Sequence, residues 1–419
     1  MVATENRPFH RYPDSGHPKG DVLFGLFAFA CLMPFVSPVP YGSDVQPVFG
    51  LLALAILAKD ALQRRVRIEV TDQFFFLIII WRIAYVAPGT GLEPRLILAP
   101  VMAYLTYRAW RWHGQSFTWV PLVWASTISS AAVLFHRTFP QVFAPVAEHV
   151  VRAVKVTEFS SRGPGGLTPE PSFAGGLAVV CVVLAVYLKD RGRMTRLKFW
   201  LVIVQSAVTL LITNSGLGYV LVLVTLVVTV LRSGSWSVRV TATLVLLFSW
   251  ALLMSGVLTG RGPVAIAALL RGSWSDLDQS SAERVQSLMV GLRSLLTYPL
   301  GTGTGSYAQT SLQVDLASNI SLNLDLIEPP TAPLSAIGLL AVEAGFPLVL
   351  LTLAILAASV SPRPFAVQAL VLASLFLITN FSFAFAPTWL LLGLARLERA
   401  RSANALAEGG IGPPKGSGL

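Results

Sequence analysis

The chain of 419 residues is 54% hydrophobic, only 12% charged and carries a formal net charge of +10; its mean hydropathy is +0.67. A soluble globular domain holds roughly a quarter of its residues as charges, so this composition excludes that class and indicates an integral membrane protein. Both cysteines, Cys31 and Cys181, fall inside apolar runs, which gives neither a disulfide framework nor a Cys-based metal site.

Residues 1–20 contain Pro8, His10, Pro13, Gly16 and Pro18 among scattered charges. No small-residue cleavage pattern follows the first apolar run, so a disordered tail and a retained first helix are expected. Crossing a hydrocarbon core of about 30 Å takes roughly 20 helical residues. Runs that could do so lie near 21–38, 45–62, 73–88, 96–107, 117–136, 173–189, 198–213, 216–231, 240–259, 333–359, 364–380 and 383–396. The expected fold is therefore all-α and polytopic, with twelve spans in a single membrane domain over 21–400 and a flexible end over 401–419.

Placing the N-terminus in the cytoplasm puts Lys59, Arg64, Arg65, Arg67, Arg108, Arg111, Lys189, Arg191, Arg193, Arg196, Lys198, Arg363, Arg396, Arg399 and Arg401 in inside segments. With the tails and the Arg232–Arg239 turn these make roughly two thirds of the 31 basic residues, as the positive-inside rule requires of twelve spans with both ends cytoplasmic. Anchoring of these short basic turns to anionic headgroups accounts for the net charge, and nucleic acid is not an expected partner.

Two polar intervals, 137–172 and 260–332, then share the outer face. In the first, Val142, Val146, Val150, Val151 and Val154 keep a helical spacing suited to an interfacial amphipathic helix. A Gly/Pro turn over 160–166 breaks it and is followed by Thr168-Pro169-Glu170-Pro171-Ser172 at the mouth of the sixth span. Arg162 offers a guanidinium fork for phosphate oxygens, and Glu170 a carboxylate suited to general-base work beside an apolar helix. Pairing of Arg162 with lipid headgroups and capping of the sixth helix by Glu170 are the plainer alternatives.

The second interval has a helix of its own, with Ser280 and Glu283 as a capping box. Val285, Leu288, Met289, Leu292, Leu295 and Leu296 form its apolar stripe. Arg284 lies in its first turn and Arg293 nine residues later, about 180° around the axis, so the two cannot serve one site. Gly301-Thr302-Gly303-Thr304-Gly305 lacks the Lys and Ser/Thr of a nucleotide loop and reads as a tight turn. Asp276 and Asp278 are spaced like a metal-binding pair, yet solvated acids flanking a helix are the better explanation, and no histidines fall at ligand spacing. Neither metal nor cofactor is expected.

Arg82 in the third span and Glu343, deeper in the tenth, are charges inside apolar runs and hence candidates for function or for a hydrogen-bonded packing contact. Asn214-Ser215-Gly216 is a tight outside turn that could supply donors.

The order of three segments resembles the O-antigen polymerase and ligase-like superfamily, in particular Wzy-type polymerases. The segments are Arg162-Gly163 leading to Glu170-Pro171-Ser172, Glu283-Arg284 leading to Pro299-Leu300-Gly301-Thr302-Gly303, and Ala341-Val342-Glu343-Ala344-Gly345-Phe346. Ligases of that superfamily carry a His-Asn pair just before the last segment; here the region reads Pro330-Thr331-Ala332-Pro333-Leu334, which favours a polymerase. The family's Ser-Arg motif is also altered, to Asn214-Ser215-Gly216.

The resemblance implies transfer of a glycan from an undecaprenyl diphosphate carrier to another lipid-linked repeat at the outer face of a bacterial inner membrane. The partners it implies are that lipid-linked glycan, the bilayer, and a flippase and chain-length regulator of the same pathway. Glu170, Arg284 and Arg162 become the catalytic candidates; Arg82, Asn214, Ser215, Arg293 and Glu343 become substrate-binding candidates. A ligase, or a lipid-linked sugar flippase, is the competing reading.

Overall fold

A computed structural model describes residues 21–37, 47–63, 68–89, 94–151, 164–232, 236–254, 279–318, 333–380 and 382–407. Among them the chain forms fifteen α-helices: α1 (Val22–Leu32), α2 (Val48–Leu62), α3 (Val70–Ala84), α4 (Pro94–His113), α5 (Trp119–Thr138), α6 (Pro140–Val150), α7 (Pro171–Asp190) and α8 (Arg196–Thr213). They continue with α9 (Gly216–Arg232), α10 (Trp236–Met254), α11 (Gln279–Thr297), α12 (Tyr307–Ser318), α13 (Ala336–Ala358), α14 (Pro364–Thr379) and α15 (Ala386–Ala407). No strand forms among the described residues; two isolated bridges join Val36 to Val151 and Val86 to Thr304.

Each of the twelve apolar runs falls on one helix, and α6, α11 and α12 occupy the two polar intervals. Four helices, α5, α7, α8 and α13, are long and apolar enough to cross a membrane; α1, α9 and α14 are apolar but shorter. The exterior is also apolar, with Leu197, Leu211, Leu231 and Trp236 turned outward. Soluble proteins do not tolerate such continuous surfaces, so the architecture is that of a helical membrane protein.

Local chemistry sets the helix ends. Asp21 caps α1 by accepting the Leu23 N–H at 3.1 Å, and Glu69 and Asp72 form a reciprocal box at the start of α3. Pro171 and Pro364 open α7 and α14 at the first helical position, where the missing N–H costs nothing. The run over 364–396 is two helices, because Asn380 stops α14 and α15 begins only at Ala386.

Helix α7 is central, buried from Phe173 to Leu188 on nearly every side and packed against α5, α8, α9 and α14. Inside lipid, burial of apolar surface no longer separates folded from unfolded, and close backbone approach takes over. Gly175 of α7 meets Ser215 and Gly218 at the start of α9, and Gly291 of α11 lies on Gly338 of α13. Phe75, Tyr107, Trp110 and Trp389 fill the interface of α3, α4 and α15.

The bundle has two chemically distinct ends. At one, Glu398 of α15, 2% exposed, takes ion pairs from Arg191 at 2.5 Å, Arg363 at 2.6 Å and Arg401 at 3.3 Å. Glu69 faces Arg111 and Arg396 there, Asp72 pairs with Arg108, and Arg396 and Arg399 close the final carbonyls of α13. The opposite end holds Glu170, Arg284, Arg82 and Glu343.

Helix α13 is not a single rod. Gly345 has φ +62° and ψ −155° inside it, and a Cβ there would lie 2.2 Å from the Pro299 carbonyl oxygen; Pro347 follows two residues later. The half before the break, from Ala336, starts with its N–H on the Asn380 carbonyl at 2.6 Å. It finishes with Glu343 on Arg82, in the last turn of α3. Both its ends are thus tied to one end of the bundle, so this half-helix runs across that end and only the second half descends. Glu343 lies two residues before the break, held by Arg82.

Candidate functional site

The segment entering α7 is built around a glycine. Gly166 has φ +60°, and a Cβ on it would strike Val133 of α5 at 2.7 Å, so only glycine lets the turn lie on that helix. The Thr168 hydroxyl sits 2.8 Å from the Gly165 carbonyl oxygen and 2.7 Å from that of Glu170. Glu170 is extended, with φ −140° and ψ 150°, as a residue before proline must be.

Glu170 holds the N-cap position of α7, as the capping alternative expects, but its side chain makes no capping hydrogen bond to the backbone there. Its Oε2 instead accepts from Arg284 Nη2 at 2.7 Å and from the Ser172 hydroxyl at 2.9 Å. Arg284 Nη2 also lies 3.2 Å from Ser172 Oγ, and its Nε donates to the Thr379 carbonyl at 3.2 Å. The two polar intervals therefore meet in one cluster of guanidinium, carboxylate and hydroxyl, with side-chain exposures of 14% for Arg284 and 22% for Glu170. Partial shielding strengthens the attraction without excluding an incoming anion.

Helix α11 delivers Arg284. It begins at Gln279, so Ser280 lies within the helix rather than capping it, and Arg284 stands in the second turn. The buried face consists of Ser287, Val290, Gly291, Ser294 and Leu295, whereas Met289, Leu292 and Leu296 of the apolar stripe point outward. Small inward residues allow the Gly291–Gly338 contact, and the outward apolar side chains suit a lipid surface. In α6 the order is similar: Phe143, Ala144 and Ala147 are buried while Val142 and Val146 are exposed. Arg293 is carried on the side of α11 opposite Arg284, half-buried and apart from the cluster.

A second charged pair lies at the same end. Arg82 Nη2 meets Glu343 Oε2 at 2.8 Å, with side-chain exposures of only 4% and 2%. The other Glu343 oxygen accepts the Gly305 N–H at 3.0 Å. Gly301, Gly303 and Gly305 all have positive φ, which lets the turn wrap the end of the half-helix. Thr302 and Gly303 donate to the carbonyls of Val342 and Glu343, Phe346 donates to Pro299, and Thr304 pairs with Tyr85 and Ala87. The Gly-rich stretch is thus a clamp joining α3, α11 and the broken α13. Tyr307 extends it through Ser287, 2.8 Å away; burial pushes its phenol above the ordinary value and the nearby Glu343 charge adds to this, keeping it a neutral hydrogen-bonding group.

Asn214 is the left-handed residue ending α8, with φ 47°, and the Ser215 hydroxyl accepts the Gly218 N–H at 3.0 Å to start α9. This turn lies at the Glu170 end, since Ser215 rests on Gly175 one turn into α7. Arg162, Asp276 and Asp278 lie outside the described residues. Among the described residues no three His, Cys, Asp or Glu side chains gather as a metal would require. Ser172 and Thr379 belong to the cluster but carry no sequence signal that would nominate them, apart from the position of Ser172 two residues after Glu170.

No protein-family model matches the chain, and no curated protein matches it.

Proposed function

We propose that this chain is a membrane glycosyltransferase that polymerises oligosaccharide repeats carried on a polyprenyl diphosphate, undecaprenyl diphosphate in a bacterial inner membrane. The observation that carries this reading is the closure of Glu170 on Arg284, 114 residues apart, from the two polar intervals. The end bearing that pair is taken as the outer face, because Arg111, Arg191, Arg363 and Arg396 collect at the other end, as positive-inside topology demands. Twelve crossings with both termini cytoplasmic fit this orientation.

The reaction breaks the bond between the anomeric carbon and the diphosphate oxygen, whose electron pair leaves with the carrier lipid, and forms a new bond from that carbon to an acceptor hydroxyl oxygen. Two charges then need managing. A guanidinium neutralises the leaving diphosphate, the role of Arg284, joined by Arg162 in the same interval as Glu170. A carboxylate takes the acceptor proton, the role of Glu170. At rest the two groups satisfy each other; a diphosphate that displaces the carboxylate from Arg284 frees Glu170 toward the acceptor. Diphosphate arrival and base release thereby become one event.

The decisive experiment expresses Glu170→Gln, Arg284→Ala and Arg162→Ala in a strain lacking the native copy and measures glycan chain length against single lipid-linked repeats. Accumulated single repeats with normal protein level support the reading, whereas unchanged polymer length in all three sinks it. The break in α13 beside the buried Arg82–Glu343 pair favours a second reading, a flippase for the same lipid-linked sugar, since transporters use discontinuous helices. Repeats trapped on the cytoplasmic face of the deletion strain would select it; repeats exposed outside but unjoined select the polymerase.

A further inference from the structure

His136 closes the last turn of α5 and is 3% exposed. Its ring stacks on Phe143 of α6, centroids 4.8 Å apart and planes 18° from parallel, and its Nδ1 accepts the Gly166 N–H at 3.2 Å. A ring nitrogen that accepts an N–H carries no proton itself, so this imidazole is neutral with its proton on Nε2. From Gly166 the connection to Glu170 is short and held by Thr168. The Gly165 carbonyl takes the Thr168 hydroxyl, which also lies against the Glu170 carbonyl, and Thr168 is itself buried. Pro171 then restricts Glu170 to extended backbone.

We propose that His136 is a positioning residue: through the Gly166 to Thr168 turn it sets the Glu170 carboxylate where it meets Arg284. This rests on the reading of Glu170 and Arg284 as the working pair. Its influence on Glu170 passes through the Gly166 to Thr168 turn and the extended backbone before Pro171. An apolar side chain of similar size would keep the stacking on Phe143 but leave the Gly166 N–H without this acceptor, and the turn would relax to find another.

The test compares three full-length variants in the deletion strain. Asparagine places an oxygen where imidazole Nδ1 stood, and glutamine places one near Nε2, so His136→Asn preserves the acceptor while His136→Gln and His136→Leu do not. Polymer formation is expected to fall roughly 100-fold in His136→Leu and His136→Gln, the scale of a catalytic misplacement of about 1 Å, and to be retained in His136→Asn. Thr168→Val should imitate His136→Leu, and the double variant should be no worse than either single one, because both act on one connection. Should His136→Leu lose protein from the membrane, the Asn and Gln variants decide alone: equal activity in those two overturns the proposal. Full polymer in His136→Leu, with Arg284→Ala inactive, overturns it while leaving the site standing. Full polymer in Arg284→Ala and Glu170→Gln removes the site itself.

Discussion

The two ends of the bundle use the same functional groups in different proportions. At the Glu398 end one buried carboxylate serves three arginines drawn from the start of α14, from α15 and from the turn after α7, with Tyr187 close by. Such a cluster loses a great deal if its carboxylate is removed. At the Glu170 end, among the described residues, Arg284 meets the Glu170 carboxylate, the Ser172 hydroxyl and the Thr379 carbonyl, and both charged side chains keep some access to the outside. Burial of the carboxylate, rather than residue type, separates a lock from a pair that can exchange partners.

That contrast can be broken in several places. The largest effect is expected from Arg284→Ala, which should lower glycan transfer by about two to three orders of magnitude, the scale for removing one electrostatic stabiliser; its thermal stability should change less than its activity. Glu398→Ala should do the reverse. It leaves three partly exposed guanidiniums without their shared carboxylate, and the cost, about 3 kcal/mol, should appear as lost protein or lowered melting temperature, with transfer per folded molecule preserved. A melting temperature equal to wild type would show that the Glu398 cluster is not a lock.

Gly345→Ala forces a side chain onto a positive φ and into the Pro299 carbonyl; strain of about 1–3 kcal/mol should loosen the clamp and reduce both stability and transfer. Ser172→Ala removes one hydrogen bond from Glu170, about 1 kcal/mol, and should reduce transfer by less than tenfold. The smallest effect belongs to Arg293→Ala, since that guanidinium stands on the far side of α11 from the cluster. A loss as large as that of Arg284→Ala would relocate the site to the outer face of α11.

The sequence reveals the helices well because each apolar run is long and bounded by charges or turns, and all twelve runs carry one. Glu170 and Arg284 were also legible as charged groups beside helix mouths, although nothing in the spacing discloses that they touch. The stripe of helix α11 does not disclose which face packs. Periodicity arguments assume that the apolar stripe faces inward, as in water, whereas this helix packs through Ser287, Gly291 and Ser294 and turns Leu292 and Leu296 outward. The partner of Glu343 lies 261 residues upstream, beyond the reach of any local pattern. The break at Gly345 did have a signal, glycine two residues before proline, hidden inside an apolar run. His136 gave none, because its acceptor role exists only once Gly166 is laid on α5.

The separation of the paired charges along the chain has a consequence for how the protein is made. Arg82 and Glu170 emerge from the ribosome long before Glu343 and Arg284, and N-terminal segments fold first. A chain interrupted before residue 279 carries both early charges with neither counter-charge, exposed at the end of an unfinished bundle. Completion of the second interval is thus also the moment at which the nascent protein conceals its last marks of immaturity, and truncated products should be cleared rapidly by membrane proteases.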